Sequence, residues 1–304
     1  MSFIFTKKNI YPLILPQHFY VDRFQNPNAY IEMNPSMNIA RDGNVKILVR
    51  CVNYRKFYNK QFTMYEYFSN SIYYVLEGKI EDDKILDIET FSVNKIVYDY
   101  NLPVFNTYWK GLEDIRFIDS TTVLAIIPEC NQNGNPSIFQ AKIEKNTIHS
   151  FTECYPNHIE KNWMPYINAD GTPYVIYSLS PFKIKEIETA EYKELVVSVE
   201  NAEILKGYNG STNGILYKKN LYLFLIHTNK ERVYHRWLLF DIVTYDIQLS
   251  EPFTFFKNSY IEFPISLCEF QTRLFISLGV NDDKAFVIET EFTEVETFFI
   301  NKKN

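Results

Sequence analysis

The feature that most constrains this chain is a rhythm. Strand-sized apolar runs recur along it: VKILVRCVNY (45–54), TTVLAIIPEC (121–130), PYVIYSL (173–179), NLYLFLIHT (220–228), HRWLLFDIV (235–243), RLFISLGV (273–280) and AFVIETEF (285–292). Turn-forming clusters (RDGN, CNQNGNPS, NADGTP, GYNGSTNG, GVNDD) separate them, the pattern of an antiparallel β protein with many short strands. Set against those strands, polar clusters return at a steady interval: Glu113, then Lys161 48 residues on, Gly210 after a further 49 and Glu262 after a further 52. An earlier cluster lies between Arg50 and Arg55. A period of about 50 residues is what four-stranded propeller blades produce. The expectation is therefore an all-β, five-bladed β-propeller, one domain over residues 1–304, with the first thirty or so residues as a strap or part of a closing blade. A two-sheet sandwich would give similar strands but no reason for the interval.

Composition agrees with strands. Aromatics are 17% of the residues, alanine is scarce and β-branched residues are frequent. Only EIETAEYKELVV (186–197) has helical character, and its β-branched ending weakens it. The net charge of −6 is interspersed, with no basic stripe to track a phosphate backbone, so nucleic acid is not an expected partner. Cys51, Cys130, Cys154 and Cys268 lie far apart with no CxxC pair and read as buried thiols rather than zinc ligands or a disulfide framework. The N-terminal MSFIFTKKNIYPLILPQHFY lacks the apolar core and cleavage site of a secretory signal, and no apolar stretch approaches the roughly 18 residues of a membrane span. A cytoplasmic protein with no membrane span is expected. No HExxH or phosphate-loop motif is present, and GYNGSTNG reads as a loop between strands, so neither a metal nor a cofactor is expected.

The candidate chemistry begins at GLEDIR (111–116). A carboxylic acid can protonate a leaving glycosidic oxygen when its surroundings raise its pKa, and a nearby arginine can orient the partner or bind an anion. On a regular strand Asp114 and Arg116 share one face while Glu113 points the other way. Alone, an E-D-x-R run more often forms a surface ion pair. KNWMPY (161–166) adds Lys161, Asn162 and Trp163; aromatic faces stack on sugar rings, although a Trp163 and Pro165 that fill a blade fit the segment as well. Trp109 carries the same ambiguity. His227 ends an apolar strand, where a hydrogen-bonded structural role is the commoner one, and Tyr234, His235 and Arg236 follow. In GVNDDKA (279–285), Asp282 or Asp283 is a candidate for a sugar hydroxyl, with a plain Asn-Asp turn as the simpler account.

The order of these pieces says more than any one of them. GLEDIR, KNWMPY with PYVIYS, GSTNGILYKKNLYLFLIH, YHRWLLFD, SEPF with IEFP, and SLGVNDDKA together resemble the five-bladed β-propeller glycosidases and phosphorylases acting on β-mannosides. Those carry G-x-E-D-P-R, K-N-x-x-L-F-P with an H-R-P ending, a Gly-rich stretch before Y-H, E-x-x-G and G-A-A-D in the same sequence. The likeness runs from about residue 34 (NPSMN, then VRCVNYR) to about residue 290. It implies that Asp114 is the general acid of an inverting reaction and that Lys161 and His227 match basic residues that grip phosphate. Two departures stand out: Ile115 replaces the proline of E-D-P-R, and YSLSP (177–181) replaces H-R-P, which removes an arginine and counts against phosphorolysis.

The variants VRCVNYR, EKNWMPY and IYSLSP look closer to a branch that accompanies glycosyltransferases. That resemblance implies inverting transfer from a sugar phosphate or nucleotide sugar to a glycan acceptor during glycan or polysaccharide synthesis. Arg50, Arg55, Arg116, Lys161, His227 and Arg236 would then hold the anionic donor, with Trp109, Trp163 and Tyr234 shaping sugar subsites and Glu113 and Asn162 in support. The alternatives are a phosphorylase or hydrolase of β-mannoside-like substrates, or a silent carbohydrate-binding propeller. Hydrolysis requires a second carboxylate about 6.5–9.5 Å from the acid, for which Glu262 and Asp282 are the candidates.

Overall fold

The computed structural model describes residues 3–6, 9–15, 30–56, 62–64, 67–81, 86–156, 158–228 and 233–300, and five sheets in it stand in a ring as a five-bladed β-propeller. Blade 1 runs from the axis outward through Ile31–Ile39, Asn44–Val52, Ser69–Lys79 and Ser92–Lys95. Blade 2 follows with Glu113–Phe117, Thr122–Ile126, Ile138–Glu144 and Thr147–Glu153. Met164–Ile167, Pro173–Leu179, Phe182–Glu186 and Lys193–Glu194 make blade 3. Blade 4 holds Tyr208–Gly210, Leu221–Thr228, His235–Asp241 and Ile247–Leu249. In blade 5, Glu262–Phe270, Arg273–Val280 and Lys284–Glu291 are joined by an N-terminal strand, Asn9–Pro12, which pairs antiparallel with Lys284–Glu291. Phe3–Ile4 adds in parallel to Phe253–Thr254 of blade 4. The first strands of the blades meet around the axis, Ile31–Ile39 lying against both Glu113–Phe117 and Glu262–Phe270.

A blade packed on both faces reads as a continuous apolar run rather than an alternating one. Thr122–Ile126 is buried at every residue, as is Leu274–Val280. The core divides among the five blade-to-blade seams. Tyr73 and Val75 meet Val123 and Phe139 between blades 1 and 2. Leu124 and Ile126 meet Trp163 and Val175 between blades 2 and 3. Ile176 and Ile184 meet Phe224 and Phe240 at the next seam, and Leu223 and Trp237 meet Leu267 and Ile276 at the one after. Ile47 and Val49 meet Phe275 and Val287 at the last, where Leu13 and Leu15 also enter.

The helical expectation for 186–197 is not met. Lys193–Glu194 is instead the edge strand of blade 3, because the β-branched residues around it suit extension against Phe182–Glu186. The helix begins further on, at Val199–Leu205, where the Ser198 hydroxyl accepts from the Asn201 N–H at 3.2 Å as an N-cap. A second helix, Phe292–Ile300, begins where AFVIETEF ends and turns Val295 and Phe298 into the seam between blades 4 and 5. All four cysteines are free; Cys51 and Cys268 are buried, whereas Cys130 and Cys154 are only partly so. Among the described residues no helix is long and apolar enough to cross a membrane.

Leu13 and Leu15 are each 2% exposed, while Ile14 between them is 79% exposed. Leu13→Ala is expected to cost about 2–5 kcal/mol in urea unfolding, the usual price of a buried leucine. Ile14→Ala should stay within about 0.5 kcal/mol of wild type in the same measurement.

Candidate active site

The site grows from an irregularity in the inner strands. Asn34 (φ 41°) in blade 1, Asp114 (φ 46°) in blade 2 and Asn162 (φ 63°) just before blade 3 all have left-handed backbones. Asn and Asp are the non-glycine residues that adopt this conformation most readily. In blades 1 and 2 the same residues sit in bulges, with register shifts between Met33 and Ser36 and between Glu113 and Arg116. A bulge re-aims side chains.

Strict alternation in GLEDIR is thereby lost, which corrects the expectation that Glu113 faces away from Asp114. Both carboxylates reach Arg50: its Nη2 donates to Glu113 Oε1 at 2.9 Å and its Nη1 to Asp114 Oδ1 at 3.2 Å. Arg50 Nε donates to Ser71 Oγ at 2.8 Å, so all three nitrogens of this buried guanidinium are engaged. A second donor, Asn34 Nδ2, reaches Asp114 Oδ1 at 3.0 Å, while Asp114 Oδ2 has no partner among the described residues. Asn34 is pressed against Gly279, where a Cβ would come within 2.0 Å of Asn34 Oδ1; only glycine permits that approach. Burial raises the Glu113 carboxyl, Arg50 opposes the rise, and the Asp114 charge adds to it. Burial pulls Arg50 the other way, but Glu113, Tyr54 and Asp114 more than offset it and its proton is held more tightly than usual.

Arg116 is bound quite differently. It is 3% exposed, and its Nε donates to Ser211 O at 2.6 Å and its Nη1 to the Asp114 carbonyl at 3.1 Å. Among the described residues its buried Nη2 has no partner and no carboxylate contacts the guanidinium. Burial lowers the Arg116 pKa, with Asp114 and Tyr73 opposing, yet an arginine stays charged in any ordinary medium. The group lies 5.8 Å from the Phe263 ring centre.

The remaining candidates divide. Lys161 is exposed, its charge is felt by both Glu113 and His227, and it forms no ion pair among the described residues. Asn162 is partly buried, its carbonyl packed against Gly210. His227 is 7% exposed, edge-on to Phe263 at 5.0 Å, with Nδ1 unpartnered among the described residues. Burial, then His235, Arg116 and Lys161, push its pKa down to about 3, so it is a neutral hydrogen-bonding group and not the cation expected for an anion grip. The charge of Asp282 is felt at Tyr54, which places it near the Arg50 cluster. Trp109 stacks edge-on against Tyr54 at 5.8 Å, and Arg55 Nη1 donates to the Tyr54 carbonyl at 3.2 Å.

Other candidates serve the fold. Trp163 is 1% exposed, donates to Glu160 Oε2 at 2.9 Å and carries the Lys185 ammonium 4.5 Å above its ring, so it fills the seam behind Asp114 rather than offering an open face. Glu262, 1% exposed, accepts from His235 at 3.0 Å, Phe255 N at 2.8 Å, Phe256 N at 2.7 Å and the Ser259 hydroxyl. A carboxylate so fully engaged has no lone pair turned to a water. Arg236 ties Tyr208 Oη, at 3.0 Å, to the Ser250 carbonyl, and Tyr234 N donates to Thr228 Oγ1 at 2.9 Å in a turn. Sequence reasoning missed Asn34, Ser71, Ser211 and Phe263. Asn34 had a signal, since it opens the NPSMN stretch that marks the start of the family likeness. Among the described residues no cluster of three or more His, Cys, Asp or Glu could hold a metal ion.

No protein-family model matches the chain, and no curated protein matches it in sequence. Solved structures do. The fold is similar to a β-1,2-mannobiose phosphorylase from Listeria innocua, with a TM-score of 0.63 and 13% identity over 96% of this chain and 99% of that one. It is similar to a mannose phosphorylase from Leishmania mexicana solved with a phosphate ion, with a TM-score of 0.56 and 13% identity over 96% and 91%. A β-xylosidase gives a TM-score of 0.54 and 12% identity over 85% and 91%. At these identities the likeness establishes the five-bladed propeller.

His227 has a pH signature. Its folded pKa of about 3 lies below the ordinary 6.5, so the stability it contributes is complete above about 6.5 and is lost as pH falls toward 3. His227→Asn should flatten the decline of urea-unfolding stability between those two pH values relative to wild type.

Proposed function

We propose that the chain is a carbohydrate-active enzyme that cleaves β-mannoside-like glycosides by inverting phosphorolysis, with Asp114 as general acid. The observation that carries this reading is the pairing, two residues apart, of a carboxylate with one oxygen fixed and the other open and a buried arginine with an unmatched donor. Asp114 Oδ1 is anchored by Arg50 and Asn34, which leaves Oδ2 to carry a proton toward the leaving oxygen. Phosphate, held by Arg116 Nη2 and Lys161, would attack the anomeric carbon as the glycosidic C–O bond breaks. The Asp114 proton goes to the departing oxygen, the new bond is to a phosphate oxygen, and the product is a sugar 1-phosphate of inverted configuration.

Phosphate is favoured over water because Glu262, one of the two candidate bases, is spent on the fold, while the unmatched cations call for an anion. The three similar structures support cleavage over synthesis: two are phosphorylases of mannose compounds and one is a xylosidase. Transfer to a glycan acceptor, which the VRCVNYR, EKNWMPY and IYSLSP variants suggested, finds no such support.

The test is incubation with β-linked mannobioses and phosphate, reading sugar 1-phosphate by mass spectrometry. Asp114→Asn should lower the rate by about 10²–10⁴-fold while the far-UV circular dichroism of the folded chain is retained. An Asn variant as active as wild type would sink the assignment, as would release of free sugar at a rate indifferent to phosphate. Arg116→Lys keeps the charge but loses the planar fork, and is expected to raise the KM for phosphate about tenfold or more while leaving the KM for the disaccharide nearly constant.

A further inference from the structure

A second cleft lies away from the axis, between blades 3 and 4. It encloses about 280 Å³ and is lined by Tyr166, Tyr174, Tyr245, Asn168, Glu186 and Lys193, among others. That volume is at the small end of ligand pockets. Asn162, at the axial site, lies just before the inner strand Met164–Ile167 of blade 3, and Asn168, which lines the cleft, lies just after it. The two sites are therefore at opposite ends of blade 3.

Its hydroxyls set the cleft apart from ordinary seam packing. Tyr166 is only 3% exposed and its ring is enclosed by Tyr222, Phe224 and Phe240, but its hydroxyl is open to the cleft and has no hydrogen-bond partner among the described residues. The hydroxyls of Tyr174 and Tyr245 are likewise without partners there, and all three phenols are near enough to sense one another electrostatically. Burial and then Glu186 raise the Tyr174 phenol, which puts that carboxylate beside it. The Lys193 ammonium rests 3.9 Å over the Tyr245 ring and forms no ion pair among the described residues.

The chemistry of the lining selects the ligand. An apolar molecule would bury three hydroxyls unmatched, at a cost of about 1–3 kcal/mol each. An anion would meet Glu186, and a cation would meet Lys193. A polyol satisfies every group, because each phenol can both donate and accept, the amide does both, the carboxylate accepts and the ammonium donates. We propose that this cleft is a second saccharide-binding site, one that holds a sugar unit of a glycan by its hydroxyls at the end of blade 3 opposite the axial site. This extends the carbohydrate reading of the axial site, but it rests on the cleft's own residues.

Fluorotyrosine placed at Tyr174 reports the cleft by fluorine NMR without reference to turnover. Titration with manno-, gluco- and xylo-disaccharides should give a saturable shift with at least one of them, and Asp114→Asn should show the same shift. Tyr166→Phe, which keeps the ring and removes the hydroxyl, should weaken that binding about tenfold, the loss of one buried hydrogen bond, and leave the axial reaction rate unchanged. Absence of a saturable shift with every disaccharide, or binding indifferent to Tyr166→Phe, overturns the proposal. Were Asp114 to prove dispensable while the shift persisted, the axial assignment alone would fall; a working Asp114 with a silent cleft would remove only the second site.

Discussion

Everything at the axial end of this propeller depends on the Arg50 guanidinium. A buried cation is tolerable only when its charge and its donors are met, and Arg50 is met completely by Ser71, Glu113 and Asp114. Two of those partners are neighbours in sequence, and neighbours on a regular strand point in opposite directions. The inner strand of blade 2 must therefore bulge for both to arrive, and the left-handed Asp114 backbone is the form that the requirement takes. The ion cluster also spans two blades, so it fixes blade 2 against blade 1 at the rim where the apolar seam ends.

The same bulge decides which oxygen of Asp114 is free. Arg50 and Asn34 converge on Oδ1, and Asn34 can do so only because Gly279 of blade 5 leaves room for it. Three blades thus position one carboxylate. Such a side chain loses little freedom on binding a substrate, which is what preorganised proton transfer requires. It also depends on ring closure, since blade 5 is completed by Asn9–Pro12 from the beginning of the chain.

How much of this was legible in the sequence follows from the range of the interactions concerned. The blade count could be read because each blade is a local unit of about 50 residues whose strands and turns repeat. GLEDIR could be recognised as unusual, but not how it points: alternation is a property of regular strands, and the bulge is imposed by Arg50, over sixty residues away. The helix was misplaced by a few residues because propensity in 186–197 was overridden by edge pairing to blade 3, with Ser198 setting the true start. Trp163 was ambiguous for a simpler reason. An indole beside polar residues has the same letters whether its face is open or, as here, covered by Lys185. Glu262 could not be recognised as engaged, since its donors include the backbone N–H groups of Phe255 and Phe256, which no side-chain pattern reveals.

The cations at the axis show why position outweighs count. Arg50, Arg116, Lys161 and His227 are all basic in sequence, and four basic groups around a depression suggest a strong anion site. In the folded chain Arg50 is spent on two carboxylates and His227 is neutral, so their contributions to anion binding are small. Arg116 differs because its partners are the carbonyls of Ser211 and Asp114, which fix the guanidinium without cancelling its charge. Since one of those carbonyls is the backbone oxygen of the proposed acid, the anion holder is tied to the main chain that carries the proton donor. In the proposed reaction that tie would help keep the phosphate holder and the acid's strand in register. It would also offset, through placement, the arginine that YSLSP lacks.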